Sequence, residues 1–394
     1  VRWLAKVAGE SYDYMTGLII TGMIFISAVV VVPNLSYVNL LYVDQQQLRN
    51  TALEALKAML LDPGYPADWG SQDPFDEGDI QRFGLAHASS DSFYILNPDK
   101  VSRLVLDNPA GHVGYETIRD RLKLQGYGFN LRIISPFNVT VNDGGPVDLT
   151  TMRSGVRVLV AHNNDGRPIP NAVVKTKILY TKSKDSTQFY WAAPVSNTTD
   201  ALGRCTIKNV DPDFQTANVF DFILVLTVTV ADLATITATY MQGFHQQVAN
   251  ASIIGDTVKL WIPENAIPNE QPMGERRIMN VVSVTMADVS NIYTGGDPTE
   301  DKMTWGSGYS YWTQQLPWLS YEEPSFLIFN VWVSLGHGQG RPFVLFLGPG
   351  PSWRGCRVLN YGGTPQGTTA RVQRNVIISG MTYLAEMILW KESL

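Results

Sequence analysis

Cysteine is scarce. Cys205 and Cys356 are the only two, too few for a disulfide scaffold. They make one bridge if the bulk of the chain lies outside the cell, or stand as two buried thiols. Clustered positive charge is missing as well. Lys and Arg number 30 against 36 Asp and Glu, the formal net charge is -6, and no basic run occurs. A phosphate backbone is bound by a concentrated positive surface, so nucleic acid is excluded as a partner. The five histidines (His87, His112, His162, His245 and His337) are widely spaced, with no His-Glu-x-x-His, Cys-x-x-Cys or Gly-x-Ser-x-Gly. Zinc motifs and the nucleophile elbow are therefore absent. "GHGQG" (Gly336–Gly340) precedes a strand rather than a helix, which makes it a hairpin turn and not a phosphate cradle. The chain is expected to be no enzyme and to carry no cofactor. Two acidic groups are the candidates for Ca²⁺: Asp73, Asp76, Glu77 and Asp79, then Asp297, Glu300 and Asp301. Neither has the spacing of an EF-hand, and both read as solvated loops.

Present instead are 33 Gly, 22 Pro, 17 Tyr and 10 Trp, as expected of short strands joined by turns. The long apolar run sits at the start. Met15 to Val32 carries no charge; at ~1.5 Å per residue it spans ~27 Å, the thickness of a hydrocarbon core. No small-x-small cleavage site follows it, and the apolar pattern resumes after Pro33-Asn34-Leu35, so it reads as a retained helix rather than a secretory signal. Arg2 and Lys6 precede it, placing the N-terminus in the cytosol and the rest outside. Four Asn-x-Ser/Thr sequons, at Asn34, Asn138, Asn197 and Asn250, are candidate N-glycan acceptors there.

Beyond Pro33 a helical stripe returns through Leu41, Leu48, Ala52, Ala55 and Met59, widened by Leu53, Leu56 and Leu60, until Asp62-Pro63-Gly64 stops it. The expectation is one long helix bent at Pro33, apolar all round in its first part and amphipathic in its second. Moving the first part from lipid to protein gains no hydrophobic energy, so close packing has to drive any association. Gly17, Gly22, Ser27 and Ala28 permit it, with Ile26 and Val30 beside them. A second apolar stretch, Phe220 to Tyr240, alternates Thr with Val and Ile. That period of two reads as a β-hairpin turning near Ala231-Asp232.

A short basic start, a Gly- and Val-rich helix with a late proline, an amphipathic continuation and a β-rich body together resemble a type IV pilin. "LLDPGYPADWG", "RFGLAHA", "ILNPDKVSRL", "YETIRDRLKLQGYGFNLRI" and the closing "RNVIISGMTYLAEMILW" are similar, more particularly, to archaeal pilin-like surface proteins. The likeness covers residues 10–135 and 370–391. Type IV pilins of bacteria carry a glutamate five positions after a Gly cleavage site. Counted from Gly9, Tyr14 holds that place, with Asp13 before it and Glu10 first. Further on, Gly166, Pro168, Ala172 and Val174, then Thr199, Asp200 and Gly203, resemble the pattern of Ig-like and carboxypeptidase regulatory-like modules.

The resulting fold expectation is mostly β with a long N-terminal α-helix: a type IV pilin-like helix plus β-sandwich domains. Its units are 1–61, the helix; 62–151, a pilin-like α/β head; 152–245, an Ig-like sandwich; and 246–394, a β-rich domain closing with a hairpin. "GYGFNLRIISPF" is expected as one strand. The resemblance implies a filament subunit whose N-terminal helices bundle, with β domains outward and a role in adhesion. Gly17, Gly22, Ile26, Val30, Pro33, Leu41, Leu48, Ala52 and Met59 would be its assembly residues. Its implied partners are its own copies, the membrane before assembly, the pilus assembly machinery and surface glycans. The aromatics Trp305, Tyr309, Tyr311, Trp312 and Trp318 are the candidates for a partner surface. The alternative is a monomeric membrane-anchored receptor or an assembly accessory.

Overall fold

The structure, a computed structural model, describes residues 2–88, 94–106, 108, 111–163, 165–182, 188–240, 250–254, 257–264, 274–285, 288–295, 301–306, 308–315, 326–335, 339–347 and 358–392. Within these, side chains are described outside 2–14, 28–41, 239–240, 250–254, 326, 335 and 339–347. The protein is mostly β, built of several antiparallel sheets.

Helix α1 (Arg2–Leu61) comes first. It ends where the sequence stops it: Asp62 Oδ1 accepts from the Gly64 amide at 2.7 Å, and Gly64 takes a positive φ of 79° that a side chain would resist. The last turn is then capped from outside. The Leu85 amide donates to Met59 O at 2.7 Å and Ala86 to Asp62 O at 3.1 Å, meeting carbonyls that a helix end leaves open. Gly84 permits the approach, because a Cβ there would lie 2.0 Å from Asp62 O.

Two short helices follow, α2 (Pro98–Ser102), capped by Asn97, and α3 (Tyr115–Arg121). Strand β1 (Tyr127–Ile134) ends at Ser135-Pro136, and β2 (Phe137–Val141) starts beyond it. The expected single strand is two, because proline has no N–H for a ladder. Strand β2 pairs with β3 (Val156–His162), which follows α4 (Leu149–Ser154). It therefore joins the sandwich rather than the head, ahead of the expected boundary at 152. The sandwich continues through β4 (Val173–Thr181), β5 (Tyr190–Thr198), β6 (Arg204–Ile207), α5 (Pro212–Thr216), β7 (Asp221–Val230) and β8 (Leu233–Tyr240). Sheets β2-β3-β6 and β5-β4-β7-β8 face each other across Met152, Val158, Val174, Phe214, Phe222 and Leu224. The β7–β8 hairpin turns at Ala231-Asp232, with Val230 opposite Leu233, where the sequence placed it.

A second sandwich follows. It comprises β9 (Asn250–Ile254), β10 (Thr257–Pro263), β11 (Arg276–Val284), β12 (Val289–Thr294), β13 (Thr304–Gly306), β14 (Tyr309–Gln315), β15 (Phe326–Leu335) and β16 (Gln339–Leu347). Its sheets are β13-β14-β10-β9 and β12-β11-β15-β16, closed over Leu260, Ile278, Trp312 and Phe329. Alternate residues of β11 and β15 point the other way. Val282, Val284 and Ile328 meet Leu179, Ile223 and Val225 from the first sandwich in one buried cluster, so the two sandwiches stack sheet on sheet. Lys177 Nζ crosses this contact to Thr285 O at 3.2 Å.

The last three strands, β17 (Val358–Gly362), β18 (Thr369–Ile378) and β19 (Met381–Lys391), return to the head. There they form the sheet β17-β1-β19-β18, and α1 lies against β18 and β19. The expected unit 246–394 is thus divided: its first part is a sandwich and its end completes the head sheet. Ile134 stands directly opposite Val358, so both sandwiches leave and re-enter the head at one cross-strand pair.

Buried charge fixes the head. Glu386 is fully buried on β19. It accepts from Arg371 Nε at 2.6 Å, Gln373 Nε2 at 2.6 Å and Arg132 Nη1 at 3.4 Å, which ties β18, β19 and β1 into register. Lys100 is also fully buried and donates to Pro63 O at 2.7 Å and Ala86 O at 3.0 Å. Burial pulls its amine down to about 8, and its N–H groups serve both carbonyls. Arg103 grips Gly70 O at 3.0 Å and Gln72 O at 2.8 Å, lying 4.4 Å over the Phe75 ring.

Candidate functional site

The head covers one part of α1 and leaves another bare. From the second part, Leu48, Ala52, Ala55, Leu56, Met59 and Leu60 are buried in the cluster that holds Leu131, Val376, Met387 and Leu389 of the head sheet. Each large side chain there contributes ~1.5–3 kcal/mol by leaving water. From the first part, Met15, Leu18, Ile19, Ile20, Met23, Ile24, Phe25 and Ile26 are between 53% and 77% exposed. A Cβ on Gly17 or Gly22 would meet nothing within 4 Å, so neither glycine is needed for packing against the described residues. The Thr21 hydroxyl turns back onto Gly17 O at 2.8 Å, leaving its methyl on the apolar surface.

A contiguous apolar surface of this kind on a monomer marks a contact with lipid or protein. Of the sequence-derived assembly residues, Gly17, Gly22 and Ile26 lie on the bare part, and Leu48, Ala52 and Met59 under the head. The side chains of Val30, Pro33 and Leu41 lie outside the described residues. Among the described residues no helix is long and apolar enough to cross a membrane; for the run Met15–Val32 the described side chains are 15–27.

The aromatic candidates are parted by strand alternation. Trp312 faces inward and is buried against Phe329 and Tyr293, so it belongs to the core and offers no partner surface. Trp305 is held by its Nε1 donating to Gly274 O at 3.1 Å and by the Arg276 guanidinium 4.6 Å from its ring. Tyr309 and Tyr311 face outward, 44% and 41% exposed. Trp318 lies outside the described residues. Trp261, opposite Tyr311 on β10, was missed by the sequence reading. The alternation in "TVKLWIP" shows it, placing Trp261 on the face opposite Val258, Leu260 and Ile262.

The acidic loop is spent on structure. Asp76 accepts from Gly78 N at 2.8 Å, Glu77 from Gly114 N at 2.6 Å, and Asp73 pairs with Lys259. Among the described residues no group of His, Cys, Asp or Glu could hold a metal ion; Asp297 and Glu300 lie outside them. Cys205 is a buried free thiol, pushed up to about 11 by burial, and Cys356 lies outside the described residues. The sequon residue Asn138 is exposed. Asn197 commits its amide, donating to Thr206 O at 2.8 Å, and the side chains of Asn34 and Asn250 are not described. A cavity of about 180 Å³ opens where the head meets the first sandwich, lined by Ser135, Asn138, Asn163, Thr235 and Tyr383 among others. It holds hydroxyls and amides but no acid–base pair.

No family model matches the chain, and no curated protein matches it. Among solved structures, E. coli alpha-2-macroglobulin in its native conformation aligns over 55% of this chain and 16% of that one, at 7% identity and a TM-score of 0.21. A tetra-tandem repeat from the extending region of a large adhesion protein aligns over 57% of this chain and 49% of that one, at 13% identity and a TM-score of 0.18. Neither likeness is close enough to carry a fold or a function.

Proposed function

We propose that this chain is a structural subunit of an archaeal type IV pilus-like filament at the cell surface, with a long pilin-like helix bearing β-sandwich domains. The observation that carries this reading is the division of α1. One part is anchored in the head by Leu56 and its neighbours, while the other presents eight large apolar side chains and two uncovered glycines. Water does not tolerate that surface. In the reading it is held by the membrane first, N-terminus in the cytosol, and passes on engagement with the assembly machinery to the same surface of neighbouring copies. Lipid and protein are equally apolar, so the transfer is driven by close backbone approach at Gly17 and Gly22 rather than by hydrophobic gain. The pilin-like motifs in 10–135 and 370–391 support it too, since those segments build the head around α1. The sandwiches, hung from Ile134 and Val358, form the outer surface and serve adhesion. The mechanism is assembly and uses no catalytic residue.

Negative-stain microscopy of material sheared from cells making the chain tests the proposal. Regular fibres labelled by an antibody to residues 137–240 are expected. Recovery of the chain only as detergent-soluble monomers would overturn it and favour a membrane-anchored receptor or assembly accessory.

A further inference from the structure

Sheet β13-β14-β10-β9 buries one face in the sandwich core; on the other, β9 approaches α2 of the head and Trp261 is half-buried, while Tyr309, Tyr311 and Thr313 are exposed. Val258, Leu260, Ile262 and Trp312 fill the core, so Lys259, Trp261, Tyr309, Tyr311 and Thr313 share the outward side. In register, Tyr311 stands between Trp261 on β10 and Thr304 on β13, and Tyr309 between Pro263 and Gly306. Trp261 and Tyr311 are therefore direct cross-strand neighbours, and Tyr309 follows one strand repeat, ~6.8 Å, further on. Gly306 keeps the Tyr311 flank open: a Cβ there would only graze the ring edge at 3.8 Å.

The chemistry of this face differs from that of α1. Its exposed large apolar residues are the two tyrosines, and no Leu, Ile, Val, Met or Phe of β10, β13 or β14 is exposed among the described residues. Lys259 is neutralised by Asp73. The hydroxyls of Tyr309 and Tyr311 have no partner among the described residues. A second copy or a protein segment would be met by aliphatic side chains in a closed core, and among the described side chains of β10, β13 and β14 no aliphatic one is exposed. An anionic chain would need unpaired cations. Rings that carry hydroxyls, beside exposed threonines and a cation already paired with a carboxylate, match the apolar C–H faces and hydroxyl rims of sugars.

We infer that this face is a docking platform for a neutral hexose polysaccharide, with Trp261, Tyr309 and Tyr311 as the stacking rings. The inference concerns a single subunit and does not depend on polymerisation. The full chain in detergent micelles is passed over beads bearing mannan, dextran, galactan or chitin, with heparin and bare beads alongside. Retention on at least one neutral polysaccharide is expected, competed by its soluble form. It should fall at least tenfold in the Tyr309→Ala/Tyr311→Ala double variant and persist in Tyr311→Phe. Both positions are solvent-facing, and an unchanged thermal melt verifies folding; Tyr311→Thr, which suits a strand, gives the same readout if the double variant does not fold. Retention on none of the four, on heparin alone, or to the same extent after loss of both rings overturns the inference. So does a change in sedimentation of the alanine variant without sugar, which would assign the face to a second copy.

Discussion

Two parts of one helix meet opposite fates. Residues 48–60 of α1 alternate buried and exposed positions with helical period, and Ala52, Leu56, Met59 and Leu60 are wholly enclosed by the head. Residues 15–27 are apolar around most of the circumference, and their large apolar side chains stay exposed among the described residues. The difference lies in the polar complement. Arg49, Asn50, Glu54 and Lys57 give the second part a wet side, so one face suffices to bury it. The first part has no such side and has to be surrounded. A head domain can satisfy an amphipathic helix, whereas an all-round apolar one calls for lipid or a bundle of its own kind.

This contrast can be broken by substitution, beginning where the effect is greatest. Leu56→Ala removes a fully buried side chain and is expected to destabilise the head by about 2–5 kcal/mol, read as a lowered midpoint in denaturant unfolding. Next come the guanidinia over Glu386. Replacing Arg132 and Arg371 together by Ala leaves a fully buried carboxylate with Gln373 as its remaining side-chain donor. Since both arginine heads are themselves partly solvated, the expected loss is about 1–3 kcal/mol, measured the same way.

A pH-dependent effect belongs to the first sandwich. Burial pushes the Asp221 carboxyl up to about 8, against ~3.9 when unfolded. Between those values the folded state keeps a proton that the unfolded state has lost. The stabilisation is therefore complete below about pH 4 and is lost as pH rises through 8. Urea midpoints at pH 5 and pH 8 should differ more in the parent than in Asp221→Asn. Smallest of all is Ile24→Ala. It touches a side chain 64% exposed and should move head stability by less than ~0.5 kcal/mol in a denaturant melt; a large shift would mean that the head packs on the first part of α1 after all.

Much of the fold was legible because the signals are local. The helix stop at Asp62-Pro63-Gly64, the stripe through Leu48, Ala52 and Met59 and the turn at Ala231-Asp232 each depend on a few adjacent residues. Pairings between distant segments were not legible. Nothing near Ile134 announces that Val358 will stand opposite it, and so 358–391 was grouped with the sandwich before it in sequence. Glu386 reads as a surface carboxylate until Arg132 and Arg371 close over it. In the aromatic segment, residue type alone could not separate Tyr311 from Trp312. Strand parity does so, because neighbours on a strand face opposite ways, and the same parity brings Trp261 to the outer face.

The exposed part of α1 can be tested as a contact between copies by placing a cysteine on it. Ile24→Cys, introduced into the full chain and treated with an oxidant on sheared surface material, reads out the distance to the next subunit. Filament assembly predicts a disulfide-linked dimer that reducing agent collapses and that the parent, with only Cys205 and Cys356, does not give. Ile24→Cys material that runs as a monomer alongside the oxidised parent would contradict it.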